Sequence, residues 1–237
     1  MPIVDPPDAR SIMAIAAHPD DIEAWCAGTL ARAIDGGATA RLLLVTSGDK
    51  GSSDPATDPR ALAMRREDEA REAARILGIA EVVFLRHIDG EVENSVALRR
   101  DLIGWIRRWQ PEIVFTFDPE HPLPPYLSHR DHRIIGRATL DAIYPLARDP
   151  LAFPEQLRDG LTTHKVGAVW LFASAVADVY VDIAATFERK VAARLAHASQ
   201  TADSAALPER FRKRDSDAGT PVDLPLAEAF TIVTIGR

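Results

Sequence analysis

The stretch Ile12 to Ala17 (IMAIAA) is apolar throughout and stops abruptly at His18-Pro19-Asp20-Asp21. It reads as a strand whose carboxyl end opens into a polar turn. From Asp21 to Gly36, Ile22, Trp25, Cys26, Thr29, Leu30 and Ala33 recur at roughly i, i+3, i+4 and i+7, the spacing of an amphipathic helix, and Gly36-Gly37 ends it. Ala40 to Thr46 (ARLLLVT) is again mostly apolar, as a strand covered on both faces should be. Strand, helix and strand in succession make a βαβ unit.

The pattern continues outward. Ser47 to Arg60 is rich in Gly, Ser, Asp and Pro and reads as a loop. A helix is expected over Ala61 to Leu77, stopped by Gly78, then a strand over Val82 to Leu85 and a helix over Val96 to Trp109, closed by Pro111. Ile113 to Phe117 (IVFTF) is a fourth strand leading into a polar loop, Asp118 to His132, with a helix near Arg133 to Tyr144. Ala168 to Ala173 is a fifth strand and Val179 to Ile183 a further candidate. Strands alternating with helices predict an α/β domain: a Rossmann-like, three-layer arrangement with a mostly parallel sheet. One domain is expected over residues 1–237, with residues 1–10 as an N-terminal extension. Arg194 to Asp223 is polar and marked by prolines, so an irregular C-terminal region is expected. The segment from about 201 to 237 is then an appendage in which Ala229 to Ile235 adds a strand.

Composition agrees with a globular chain. The 237 residues are 46% hydrophobic and 27% charged, enough to bury about 70% of the unfolded surface. Lys and Arg number 28 against 35 Asp and Glu, a net charge of −7, and there is no dense basic block, which disfavours a nucleic-acid partner. No apolar run approaches the roughly 18 residues of a membrane span, and no secretory signal is evident, so no membrane partner and a cytoplasmic setting are expected. A single cysteine, Cys26, has no internal disulfide partner and fits a reducing compartment.

Ligands of open α/β sheets bind beyond the carboxyl ends of the strands. Two strands end in reactive side chains. The first ends in His18-Pro19-Asp20-Asp21, with Glu23 behind. A helix N-cap explains one of the two aspartates, but not both together with His18. Adjacent carboxylates at the end of a buried strand repel and lose hydration, and a bound cation relieves both costs. His18 and Asp21, three apart across a turn, can face one centre while Asp20 points elsewhere. The second cluster is Ser128-His129-Arg130-Asp131-His132, where His129 and His132 share a helical face, although these residues would also suit a solvated loop. His18, Asp21 and His132 make a two-nitrogen, one-oxygen set. Three protein ligands with an open water position characterise a catalytic zinc, whereas structural zinc usually takes several cysteines.

These motifs, Ala17-His18-Pro19-Asp20-Asp21-Ile22-Glu23 and His129-Arg130-Asp131-His132, make the chain resemble the LmbE-like, or PIG-L, family of zinc-dependent N-deacetylases. Thr46-Ser47-Gly48-Asp49-Lys50-Gly51 is similar to the family's T-x-G-D-x-G turn, and Arg66 to Glu69 with Ala73 to Gly78 to its R-x-x-E…AA..LG helix. Phe84-Leu85 with Asp89-Gly90, and Lys190 with His197-Ala198-Ser199-Gln200, extend the resemblance from about Ile12 to Gln200. It implies that His18, Asp21 and His132 bind Zn²⁺, or Fe²⁺ in the cell. It makes Asp20 the general base and His129 the group that stabilises the oxyanion or protonates the leaving amine. Zinc brings the pKa of water from about 15.7 toward 7, and a cationic His129 would complement developing negative charge. Asp131 is expected on the far nitrogen of one imidazole. Arg66 is expected to contact substrate oxygens, though pairing with Glu69 or Asp68 on a solvated helix would account for it equally. Asp49 and Lys50 are expected to line the same cleft. Lys190 and His197 fit an amphipathic helix and its polar end, with no assigned role.

The implied activity is removal of an acetyl (acyl) group from an N-acetylated amino sugar or related glycoside. The expected partner is a small N-acylated amine or sugar conjugate, and a homo-oligomer follows from the family. Gly48 to Arg60 and Asp118 to Leu127, with Pro122, Pro124 and Pro125, are expected to wall the pocket. One alternative is a zinc amidase acting on a non-sugar N-acyl amine. Another is a non-catalytic nucleotide- or sugar-binding module, which the HPDD turn disfavours. That turn lacks a phosphate-binding G-x-G-x-x-G, and Asp20 and Asp21 would repel phosphate.

Overall fold

In the computed structural model, which describes residues 2–120 and 127–236, strand β1 (Ser11–Ala16) lies near the middle of the sheet. It is followed by α1 (Asp21–Trp25), α2 (Ala27–Asp35), β2 (Thr39–Thr46), α3 (Pro59–Leu77), β3 (Glu81–His87), α4 (Val96–Trp109), β4 (Ile113–Phe117) and α5 (Arg130–Ile143). Then come α6 (Pro154–Arg158), β5 (Ala168–Phe172), β6 (Val179–Asp182), α7 (Phe187–Ala196), α8 (Leu207–Gly219) and β7 (Ala227–Thr234). The strand order is β3-β2-β1-β4-β5-β7-β6. Strands β1 to β5 pair in parallel, and β7 runs antiparallel to both β5 and β6. This is the expected α/β class. The chain winds outward from β1 through β2 to β3 and then returns to the other side of β1 with β4. The loops leaving β1 and β4 therefore diverge and open a crevice at the carboxyl end of the sheet, the usual ligand position of such folds.

Helix and strand boundaries have local causes. Helix α3 begins where the Asp58 side chain accepts the Arg60 N–H and ends at Gly78, whose φ is 85°. Ser95 caps α4 through the Leu98 N–H. Met13, Ile15, Leu43, Val114 and Phe115 are wholly buried, and each such side chain contributes about 1.5–3 kcal/mol of transfer free energy. No described helix is long and apolar enough to cross a membrane.

Three expectations need correction. The helix expected over Asp21 to Gly36 is two helices, broken at Cys26, whose φ is −144°. The cause lies far along the chain: Glu228 on β7 accepts the N–H groups of Gly28 and Thr29 at 3.0 and 2.7 Å, giving α2 an N-terminus of its own. The C-terminal region is neither irregular nor appended. It contains α8, and β7 is inserted within the sheet between β5 and β6. Helix α8 buries only Leu207, Phe211, Asp215 and Gly219, a stripe too narrow and polar to stand out as periodic. Helix α5 begins at Arg130 rather than near Arg133, because His129 caps it. Residues 121–126, with Pro122, Pro124 and Pro125 of the expected pocket wall, lie outside the described residues. The N-terminal extension lies along β6, where the Val4 N–H donates to the Tyr180 carbonyl.

Candidate active site

The turn after β1 is folded back on itself by Asp21, whose Oδ2 accepts the N–H groups of Ala17 and His18 at 3.0 and 2.7 Å. That bond brings His18 Nδ1 to 3.5 Å from Asp21 Oδ2. Between them, Asp20 holds a left-handed φ of 96°, costly for a residue with a side chain. Its two oxygens are held separately, Oδ1 by Arg66 at 3.4 Å and Oδ2 by Arg194 at 3.2 Å. Burial, and then the neighbouring charge of Asp21, push the Asp20 carboxyl above the usual range against the pull of these arginines.

From the other side, His132 on α5 stacks on Phe117, the last residue of β4, with ring centres 3.9 Å apart and planes at 11°. Helix α5 approaches closely because Gly136 lies against the Phe117 carbonyl, where a Cβ would collide. His132 Nε2 thereby lies 3.1 Å from Asp21 Oδ1 and 3.3 Å from His18 Nδ1. His18 Nδ1 and His132 Nε2 thus stand 3.3 Å apart, and the Asp21 carboxylate spans them, with Oδ2 3.5 Å from the first and Oδ1 3.1 Å from the second. Bonds of about 2.0–2.1 Å to a tetrahedral ion require donor separations of about 3.4 Å, so these residues fit a divalent metal.

Tautomers sharpen that fit. His18 Nε2 is 3.0 Å from Asp89 Oδ1 and 3.6 Å from Asp131 Oδ2, and these carboxylates hold its proton on Nε2. Its Nδ1 lone pair is left facing Asp21 and His132. Burial alone would depress His18, but hydrogen bonds to Asp131, Asp21 and Asp89 outweigh it and push its pKa up to about 12. Asp21 is also buried, yet His132 and His18 hold its carboxyl well below the usual range. The cluster therefore demands a positive charge, from a proton or a metal. His18, Asp89 and Asp131 are close enough to hold an ion on the opposite side of the ring, but there Asp131 is fully buried and its Oδ2 already accepts the Gly90 N–H at 2.7 Å.

His129 sits close enough to His18 and His132 to look like a third imidazole ligand. Its Nδ1, however, accepts the Asp131 N–H at 3.1 Å, so the ring proton is on Nε2 and no lone pair is left for a metal. Burial and the charges of His18 and His132 lower its pKa. The expected cationic His129 is corrected to a neutral hydrogen-bond donor.

A cavity of about 450 Å³ opens over these groups, lined by His18, Asp20, Asp21, Lys50, Arg66, Asp89, His129, His132 and Gln200. Arg66, expected to reach substrate, has its guanidinium turned into the protein, donating to the carbonyls of Gly48 and Pro19 at 3.0 and 2.7 Å. It staples the turn after β1 to the turn after β2. Asp49 is not part of this cavity: it accepts the Asp89 N–H at 3.0 Å and lines the adjacent one, with Arg60, Met64 and Arg86. Lys190 is fully buried away from the cavity, between Asp215 and Glu228 at 2.8 and 2.7 Å, and His197 pairs with Glu23 at 3.4 Å. Asp89 and Arg194 were missed by sequence reasoning. Asp89-Gly90 begins two residues past the end of β3 and carried a usable signal through its place in the family resemblance, whereas Arg194 carried none.

A model of the PIG-L family, described as GlcNAc-PI de-N-acetylase, matches residues 13–143. Diacetylchitobiose deacetylase of Thermococcus kodakarensis is 32% identical over 193 residues, covering 81% of this chain and 71% of that protein. The chain belongs to the PIG-L family. Among solved structures, the N,N'-diacetylchitobiose deacetylase of Pyrococcus horikoshii, crystallised with an inhibitor, is 29% identical with a TM-score of 0.89. That likeness covers 96% of this PIG-L chain and 85% of the other. A 4-carboxy-2-hydroxymuconate hydratase from Pseudomonas putida, 20% identical with a TM-score of 0.79 over 96% of this chain and 98% of that one, shares the fold alone. PIG-L architecture therefore hosts more than one chemistry, and the activity must be argued from the site.

Proposed function

We propose that this PIG-L protein is a zinc-dependent hydrolase that removes the acetyl group from an N-acetylated amino sugar or a related glycoside. The convergence of His18 Nδ1, Asp21 and His132 Nε2 within 3.1–3.5 Å, under a cavity that also exposes Asp20 and His129, carries this reading. Zinc held by those three donors would supply an activated water and a polarised acyl oxygen, and Fe²⁺ suits the same donors. Asp20 takes the proton of the attacking water, a task suited to a carboxyl raised above its usual range, and delivers it to the departing amine nitrogen. His129 donates its Nε2–H to the acyl oxygen as negative charge develops there, and one such donor lowers a barrier by about 3–4 kcal/mol. Asp131 and Asp89 keep the proton on His18 Nε2, and Asp131 also orients His129 through its backbone N–H.

The substrate class draws on two observations. The cavity is lined by charged and amide side chains, which suit a hydroxyl-rich molecule. Relatives include deacetylases of diacetylchitobiose and, in Kineococcus radiotolerans, of a myo-inositol 2-acetamido-2-deoxyglucoside. The proposal includes a reducing cytoplasmic setting, supported by a single, buried cysteine, and a homo-oligomer, which sedimentation tests. The decisive experiment measures bound metal and then acetate release from N-acetylglucosamine, diacetylchitobiose and non-sugar N-acetyl amines, with and without chelator. One equivalent of metal and chelator-sensitive release from the sugars are expected. Release that ignores complete metal removal would refute the mechanism, and release from the non-sugar amines alone would replace the substrate class.

A further inference from the structure

Asp20 lies between two ligand-donating residues, in a backbone conformation, with a φ of 96°, that residues with side chains rarely adopt. Nothing local holds it there: the cap of α1 makes no side-chain hydrogen bond. The restraint comes from two arginines, one on each oxygen. Arg66 is committed elsewhere, to the Pro19 and Gly48 carbonyls, and its contact with Oδ1 is the longer, at 3.4 Å. Arg194 reaches Oδ2 at 3.2 Å from α7 and is itself braced, donating to Thr201 Oγ1 at 2.7 Å and to the Gln200 carbonyl at 3.2 Å. It lies about fifty residues beyond the last position matched by the family model.

We infer that Arg194 is a positioning residue for the reaction, fixing the direction of the Asp20 carboxylate from outside the part of the chain that carries the metal donors. The inference rests on Asp20 being the base. A carboxylate with one oxygen released rotates about its side chain, and a misplacement of about 1 Å in a reacting group costs on the order of 10²-fold in rate. Arg194 is not among the residues lining the cavity and contacts none of His18, Asp21 and His132, so its loss should fall on turnover and spare binding.

The test compares zinc-loaded wild type, Arg194→Met, Arg194→Lys, Thr201→Val and Asp20→Asn, reading kcat, KM and zinc content with whichever N-acetylated substrate the wild type hydrolyses. Arg194→Met should keep a full equivalent of zinc and a KM within about twofold, while kcat falls about 10²-fold. Arg194→Lys should recover roughly a tenth of wild-type kcat, since an ammonium restores charge but not the braced fork. Thr201→Val removes one of the two braces, together with the hydrogen bond its hydroxyl donates to the His197 carbonyl at 2.9 Å, and should lower kcat by a smaller factor, which keeps the inference testable if Arg194→Met does not fold. Unchanged kcat in Arg194→Met would overturn the inference, as would a raised KM with kcat intact or joint loss of zinc and activity. If Arg194→Met does not fold, wild-type kcat in both Thr201→Val and Arg194→Lys would overturn it. Full activity in Asp20→Asn would instead sink the role of the base.

Discussion

Gly48 and Gly51 flank the Arg66 guanidinium, and a Cβ at either position would overlap it. Alanine at each separates two costs. At Gly51 the cost is steric: Arg66, only 3% exposed, must withdraw from the Gly48 and Pro19 carbonyls it holds at 3.0 and 2.7 Å. Hydrogen bonds from a charged donor contribute about 1.5–3 kcal/mol each, so Gly51→Ala should cost about 3–6 kcal/mol. Gly48 has a φ of 65° as well, and the left-handed conformation adds about 1–2 kcal/mol for a residue with a side chain. For a chain of this size each kcal/mol lowers Tm by about 2–4 °C, so a fall of about 10 °C is expected for Gly51→Ala and a few degrees more for Gly48→Ala. Thermal and urea unfolding of the metal-free proteins measure both. Repeating Gly51→Ala in an Arg66→Met background is the control, because the overlap vanishes with the guanidinium and the added cost should fall below about 1 kcal/mol. An equal cost in both backgrounds would show that the glycine serves something other than Arg66.

Further outcomes concern the site and the buried charges. Asp20→Asn should lose about 10²–10⁴-fold in turnover while retaining its metal, whereas His132→Ala should lose metal and activity together; metal analysis alongside acetate release separates them. Lys190→Met removes the buried cation shared by Asp215 and Glu228, leaving Asp215 with Arg214 alone and Glu228 with only the Gly28 and Thr29 N–H groups, so urea unfolding should show a loss of about 3–5 kcal/mol, with little change in turnover per folded molecule. The Glu67 carboxyl lies below its usual range because Arg86 hydrogen-bonds it, at 2.7 and 2.9 Å, with help from Ser47 and Arg71. A depressed folded-state value contributes stability that is present above the unfolded pKa, about 4.3, and is lost as pH falls through the folded one. Acid titration of Glu67→Gln should therefore lose stability less steeply below about pH 4 than the wild type does.

Much of the site was legible in sequence because its chemistry is concentrated at strand ends. His18 and Asp21 sit on one turn, and His129 and His132 on another, so the spacing that makes them neighbours is local. Asp49 and Asp89 show where legibility stops. Each is an aspartate beside a glycine in a polar turn, and only the fold makes Asp89 the partner of His18 and Asp49 the brace that holds it. The neutral state of His129 was equally hidden, because it follows from a helix N-terminus whose first turn supplies the Asp131 N–H. Arg194 had no signal at all, being one arginine on a helix that reads as ordinary.

Periodicity and turn chemistry act over a few residues, and they were enough to mark the alternating strands and helices, the metal-type donor set and the resemblance to a deacetylase family. Longer-range matters came from packing. Sheet order sets β4 against β1 and thereby brings His132 within 3.3 Å of a residue 114 positions away. Glu228 splits a helix 200 residues upstream, and β7 lies within the sheet, paired antiparallel with β5 on one edge and β6 on the other. Such pairings depend on which surfaces meet once the core closes, and a linear pattern of residues holds no record of that meeting.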